Sequence, residues 1–63
     1  MCEANAYVVR EQREELYFEN VDKLIPHGEE IILEDIFGKR KIIKARIKEL
    51  ALVDHKIILE ENV

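Results

Sequence analysis

The sequence predicts an all-β fold, an antiparallel sheet or small barrel, and three observations carry that reading. Short runs rich in Ile, Val, Tyr and Phe are separated by turn candidates at regular intervals. Ile43, Ala45 and Ile47 alternate with Lys44, Arg46 and Lys48, the period of a half-exposed strand. The charges are also divided along the chain. Residues 1–38 hold ten acids against Arg10, Arg13 and Lys23, whereas residues 39–63 hold seven bases against four acids. Halves of opposite charge are expected to face each other across a sheet.

Taken in order, a first run leads to a turn at Arg10–Arg13 and a second to a break around Glu19–Asp22. The next turns fall at Pro26–His27–Gly28 and Phe37–Gly38–Lys39, where glycine permits a positive φ. After the alternating run, Leu50 and Leu52 shift phase, as a β-bulge or sharp bend requires, and Asp54–His55 forms the last turn. A helical pattern competes in two places. Ile43, Ile47, Leu50 and Ala51 fit helical spacing, and Glu11–Leu24 is equally ambiguous. The β reading is preferred because the apolar runs are short and bounded by turns. Tyr7, Tyr17, Phe18 and Phe37 are expected to anchor the core.

With 63 residues, the chain is expected to form one domain, residues 1–63. So small a domain is marginal alone and usually adds disulfides, a metal or a partner subunit. Cys2 is the single cysteine, so a disulfide within the chain is excluded. The sequence has no Ser and no Thr, which removes hydroxyl nucleophiles and the P-loop, and its two glycines stand apart. Adjacent acids such as Glu14–Glu15 and Glu60–Glu61 project to opposite faces of a strand and read as solubilising charge. No enzyme is expected. No apolar run approaches the ~20 residues of a membrane span, and Met1–Asn5 lacks the blocks of a signal peptide. A cytoplasmic protein with a reduced thiol is expected.

Cys2 is the most informative position. Removal of Met1, which a small second side chain permits, would leave a free α-amine beside the thiolate. Amine, thiolate and the following amide nitrogen, that of Glu3, can form fused five-membered chelate rings. Soft sulfur and nitrogen in a plane suit nickel(II) or copper(II), while zinc prefers a tetrahedral set. Two termini brought together by two subunits would complete a four-coordinate site. Taken alone, however, one terminal cysteine is more often incidental than a ligand. His27 and His55 sit in turn contexts without HxH or HExxH spacing and read as solvated. Lys39–Lys48 holds six bases and no acid. It is the basis of the alternative reading, a small-barrel RNA-binding protein that contacts phosphates. The stretch lacks an aromatic residue on which a base could stack, and a solvated or cross-strand-paired face is preferred. Nucleic acid and membrane are therefore not expected as partners.

Several segments carry a resemblance that extends over essentially the whole chain. They are Met1-Cys2-x-Ala4-x-x-Tyr7, Glu15-Leu16 with Val21, Leu33-x-Asp35-x-Phe37-Gly38, Ile43-x-Ala45-x-Ile47, and Asp54-His55-Lys56-Ile57-x-Leu59-Glu60-Glu61. With them the sequence resembles the CooT family of small nickel-binding proteins, associated with maturation of carbon monoxide dehydrogenase. The resemblance implies a homodimer of small SH3-like antiparallel β barrels that holds Ni(II) for storage or for delivery to a client nickel enzyme. It also implies that Cys2 binds the metal, one ion being shared by two copies, with the backbone nitrogen of Glu3 beside it. Asn5 departs from the family, where a basic residue is common.

Overall fold

A computed structural model describes residues 3–62. Five strands account for most of them: β1 (Ala4–Arg10), β2 (Arg13–His27), β3 (Glu30–Asp35), β4 (Arg40–Ala51) and β5 (Lys56–Glu61). Each strand hydrogen-bonds to the next in chain order, and β1 also pairs with β5, so the ladders form a ring. Both stretches with helical spacing are strands. Their β-branched and aromatic residues fit a pleated, half-buried surface, and tertiary pairing decides between the two periods.

The expected SH3-like antiparallel β barrel is corrected in its pairing and shape. Four ladders are antiparallel, but β1 and β5 pair parallel, Asn5 with Lys56 through Val9 with Glu60. Parity dictates this outcome. In an up-and-down meander the first and fifth strands point the same way, so a seam between them must be parallel. The molecule is also flattened, 32 × 25 × 14 Å. That thickness suits two sheet layers packed ~10 Å apart, with side chains between them.

Two long strands pass from one layer to the other. β2 pairs with β1 through its first half and with β3 through its second. The transition lies at Asn20, whose φ is +56° and whose backbone N–H donates to the Asn5 side-chain oxygen at 3.1 Å. Asparagine tolerates this left-handed conformation better than most residues. The break expected around Glu19–Asp22 is thus a corner inside one 15-residue strand rather than a turn between two. β4 likewise pairs with β3 up to Lys44 and with β5 from Ala45. The bulge expected from the phase shift falls between Ile47 and Glu49, where the β4–β5 register slips.

The core consists of Ala6, Val8, Phe18, Val21, Ile31, Leu33, Ile43, Ala45, Ile57, Ile58 and Leu59. Tyr17 packs partly buried against it. Phe37 does not join the core and is 88% exposed, because it occupies the tip of the β3–β4 turn, where neither layer covers it.

Turn chemistry accounts for the strand ends. Gly28, at φ +61°, opens the two-residue β2–β3 hairpin, as a type II′ turn requires. The β1–β2 hairpin has the same length, but its two turn residues, Glu11 and Gln12, lie at φ +51° and +65°. Both central positions of a type I′ turn favour Asn or Gly, so this hairpin stores strain. Gln12→Gly is expected to stabilise the protein by about 0.5–1 kcal/mol. A thermal melt that shows an unchanged or lower midpoint would refute the assignment of strain.

Candidate functional site

Chemistry-bearing residues gather toward two ends of the flattened sheet. At the first end β1 begins. Glu3 is exposed and precedes the strand, while Ala4 is half-buried against the core. Cys2, the residue singled out as a ligand, lies outside the described residues, as does Met1. The backbone of β1 is nevertheless fixed within a few residues of them. Asn5 N–H donates to the His55 carbonyl at 2.9 Å, and Ala4 pairs with Val21. The β4–β5 turn, Leu52–His55, therefore lies directly beside the start of β1.

That neighbourhood is unusually apolar for a surface. Leu52 and Val53 are 72% and 93% exposed, and Ile47 and Leu50 are open to solvent on β4. A groove of about 450 Å³ runs between β4 and β2, walled by Ala4, Leu24, Ile47, Leu50 and Leu52, with His55 at its edge. Contiguous exposed apolar residues of this kind mark an interaction surface.

His55 and His27 occupy the turn contexts expected for them. His55 has φ +55° and closes the β4–β5 turn by donating its N–H to the Leu52 carbonyl at 3.2 Å. His27 ends β2 at the opposite end of the molecule, where it is exposed. The two histidines are not brought together. Among the described residues no group of three or more His, Cys, Asp or Glu side chains could hold a metal. The metal reading consequently rests on Cys2 and the backbone that follows it.

Charge pairs lie at both ends, Arg10–Glu61 and Arg46–Glu60 far from the start of β1 and Glu34 with Arg40 and Lys23 beside the β3–β4 turn. Arg10 Nε donates to Glu61 at 2.8 Å, and Arg46 Nε donates to Glu60 at 3.0 Å. Glu34 accepts from Arg40 at 2.7 Å and lies 3.8 Å from Lys23. Hydrogen bonds from these arginines hold the carboxyls of Glu34, Glu60 and Glu61 below their ordinary value. Each pair thus contributes fully above the usual 4.5, and its contribution fades as pH falls through the lowered folded value. On exposed surfaces that contribution is small. The opposite-charge pairing expected between the two halves occurs at Glu34–Arg40 and Glu14–Lys56. Arg46–Glu60 forms within the second half.

These contacts also bear on the basic stretch. Lys44, Arg46 and Lys48 lie along β4 and are exposed, as the alternation predicts. Arg46 is engaged by Glu60, Arg40 by Glu34, and Lys41 sits 4.6 Å over the Tyr17 ring. The row is thus partly neutralised within the chain, at Arg46, which weakens it as a phosphate track. No helix among the described residues is long and apolar enough to cross a membrane.

The apolar end was missed by sequence reasoning. The phase shift at Leu50 and Leu52 signals a bulge or bend, and only the tertiary pairing reveals that β4 has an uncovered face there.

Comparison with known proteins adds three findings. Residues 1–60 match the family model described as CO dehydrogenase accessory protein CooT. An uncharacterized protein of Archaeoglobus fulgidus is 40% identical over 42 residues, which cover 67% of this chain and 93% of that one. A crystal structure assigned as CooT from Carboxydothermus hydrogenoformans superposes with a TM-score of 0.89 at 58% identity, covering 98% of this chain and 100% of the other.

Proposed function

The chain belongs to the CooT family of CO dehydrogenase accessory proteins, and on that premise we propose that it binds Ni(II) at Cys2 and delivers it to a nickel enzyme. The cargo is a metal ion and the role is accessory rather than catalytic. The family match carries the reading, because it spans the N-terminal segment that contains Cys2 and Glu3.

The chemistry of that segment fits the cargo. A thiolate, an α-amine freed by loss of Met1 and the Glu3 amide nitrogen form a planar soft set that suits nickel(II). One chain supplies only part of a coordination sphere, so a homodimer shares the ion between two Cys2 residues. The exposed Ile47, Leu50, Leu52 and Val53 beside the start of β1 support such a pairing. Covering these side chains would bury apolar area at roughly 25 cal/mol per Å² and bring two N-terminal segments close. The setting in which this chemistry operates is the reducing cytoplasm, where a lone thiol stays available.

Native mass spectrometry tests the reading in one experiment. Addition of nickel is expected to yield a dimer of chains lacking Met1 and carrying one metal ion. A monomer that binds nickel with full occupancy would overturn the shared site, and a chain that retains no nickel would overturn the proposal itself.

A further inference from the structure

The β3–β4 turn places a large apolar residue where burial would be expected. Phe37 is 88% exposed, and its neighbour Ile36 is 50% exposed. Single exposed apolar residues are common and carry no message, but this one is held in place. The Asp35 carboxylate accepts from Phe37 N–H and from Lys39 N–H, both at 2.9 Å. The Asp35 backbone donates to the Lys39 carbonyl at 3.0 Å and accepts from Gly38 N–H at 3.1 Å. Gly38 supplies the φ of +86° that lets the turn close. An aromatic side chain on a backbone fixed in this way loses little entropy on docking.

Position and charge narrow the partner. Asp35 pairs with Val21, and Val21 pairs with Ala4. The turn therefore stands two strands, about 10 Å, from the start of the strand that follows Cys2 and Glu3. Around its base Lys23, Lys39, Arg40 and Lys41 outnumber Asp22, Glu34 and Asp35, a local excess of one positive charge on a chain of net charge −4.

We infer that the Ile36–Phe37 tip is the docking finger for the client enzyme, with Phe37 entering an apolar pocket that has an acidic rim. The inference rests on the delivery reading above and names the surface that performs it. A buried aromatic at the centre of a contact dominates binding, and the cations around its base select an acidic rim. Docking there brings the acceptor next to the metal-bearing segment. A lipid surface is disfavoured, because an acidic chain is repelled by anionic headgroups and one aromatic tip offers little area for insertion. A second copy of the chain is disfavoured too. The apolar groove at the same end has His55 and Lys56 at its edge, a poor match for Lys39. The far groove holds Glu29, Glu30, Glu60 and Glu61, but Arg10 and Arg46 already pair with two of these acids and Lys48 offsets part of the rest.

The test measures binding of the nickel-loaded protein to immobilised nickel-free carbon monoxide dehydrogenase. Phe37→Ala is expected to weaken binding at least about 10-fold, with nickel affinity and melting temperature unchanged. Phe37→Trp should retain binding, and Lys39→Glu should weaken it. If the original protein binds and Phe37→Ala binds equally well, the finger is wrong while delivery stands. If the original protein does not bind the enzyme at all, the delivery reading fails and the finger fails with it. Two controls separate the other occupants. Phosphatidylglycerol vesicles that capture the original protein but not Phe37→Ala would assign the tip to lipid. Self-association in sedimentation velocity that disappears in Phe37→Ala would assign it to a second copy. Either result overturns the inference.

Discussion

Cys2→Ser is expected to weaken nickel binding by at least about 100-fold and to abolish thiolate-to-nickel absorption. Even loss of a hydrogen bond to a metal ligand costs 10–100-fold in affinity, and here the proposed ligand itself is removed. Serine keeps the size of the side chain but replaces a soft thiolate with a hard hydroxyl, which nickel(II) favours much less in a planar set. No compensating cluster exists among the described residues, since none groups three His, Cys, Asp or Glu side chains. The fold should be untouched, because Cys2 precedes β1 and its ladders. Titration calorimetry and absorption spectra of the two proteins check this. Equal nickel affinity in the serine variant would remove Cys2 from the site. If the metal is shared, the original protein should saturate at one ion for two chains.

The second large effect concerns stability. Leu59 has no exposed surface and stands between two ladders, paired with Val8 on β1 and with Ile47 on β4. Leu59→Ala is expected to cost about 3 kcal/mol, from lost transfer energy and the cavity left behind. For a domain this small each kcal/mol moves the midpoint by roughly 4–8 °C, so the melt should fall by about 12 °C or more. A core of this size rarely supplies more than ~3–5 kcal/mol, so the variant is expected to be largely unfolded as a monomer. Leu52→Ala, at a residue 72% exposed, is the control and should stay within about 0.5 kcal/mol. A melting shift of only a few degrees for Leu59→Ala would show that the two layers can collapse around the gap.

Much of the fold could be read from residue pattern. The alternation of Ile43 and Ala45 with Lys44 and Arg46 is a strand with a buried and an exposed face, whereas Ile47, in phase with the buried residues, is open to solvent. The slip before Leu50 is a bulge. Turns at Gly28 and Gly38 follow from the backbone freedom of glycine. The corner at Asn20 was harder, because a strand that bends and continues has the same local signals as a strand that stops. Only the side chain of Asn5, 15 positions away, clamps the bend. Phe37 was misplaced for a related reason. Hydrophobicity marks a residue as fit for burial but does not reveal whether a partner surface lies within its own chain. Opposite charges in the two halves predicted pairing, and Glu34–Arg40 obeys it. Arg46–Glu60 shows that register, rather than the bulk charge of a segment, decides the partners. At the candidate site, chelate chemistry allows Cys2 as a ligand, and the family resemblance is what singles it out. The apolar surface beside it arises where β4 runs uncovered past the start of β1, and no local pattern encodes such a juxtaposition.

The parallel seam between β1 and β5 also decides where the molecule can be held. Two strands that run the same way begin at one end and finish at the other, so Ala4 and Glu61 lie at opposite ends of the sheet. A seven-residue strand spans roughly 20 Å. A linker attached beyond Asn62 would therefore tether the protein by the end away from Ala4. A tag fused ahead of Cys2 would block the amine assigned to nickel in the proposed site. Antiparallel closure would have crowded both attachments onto one face.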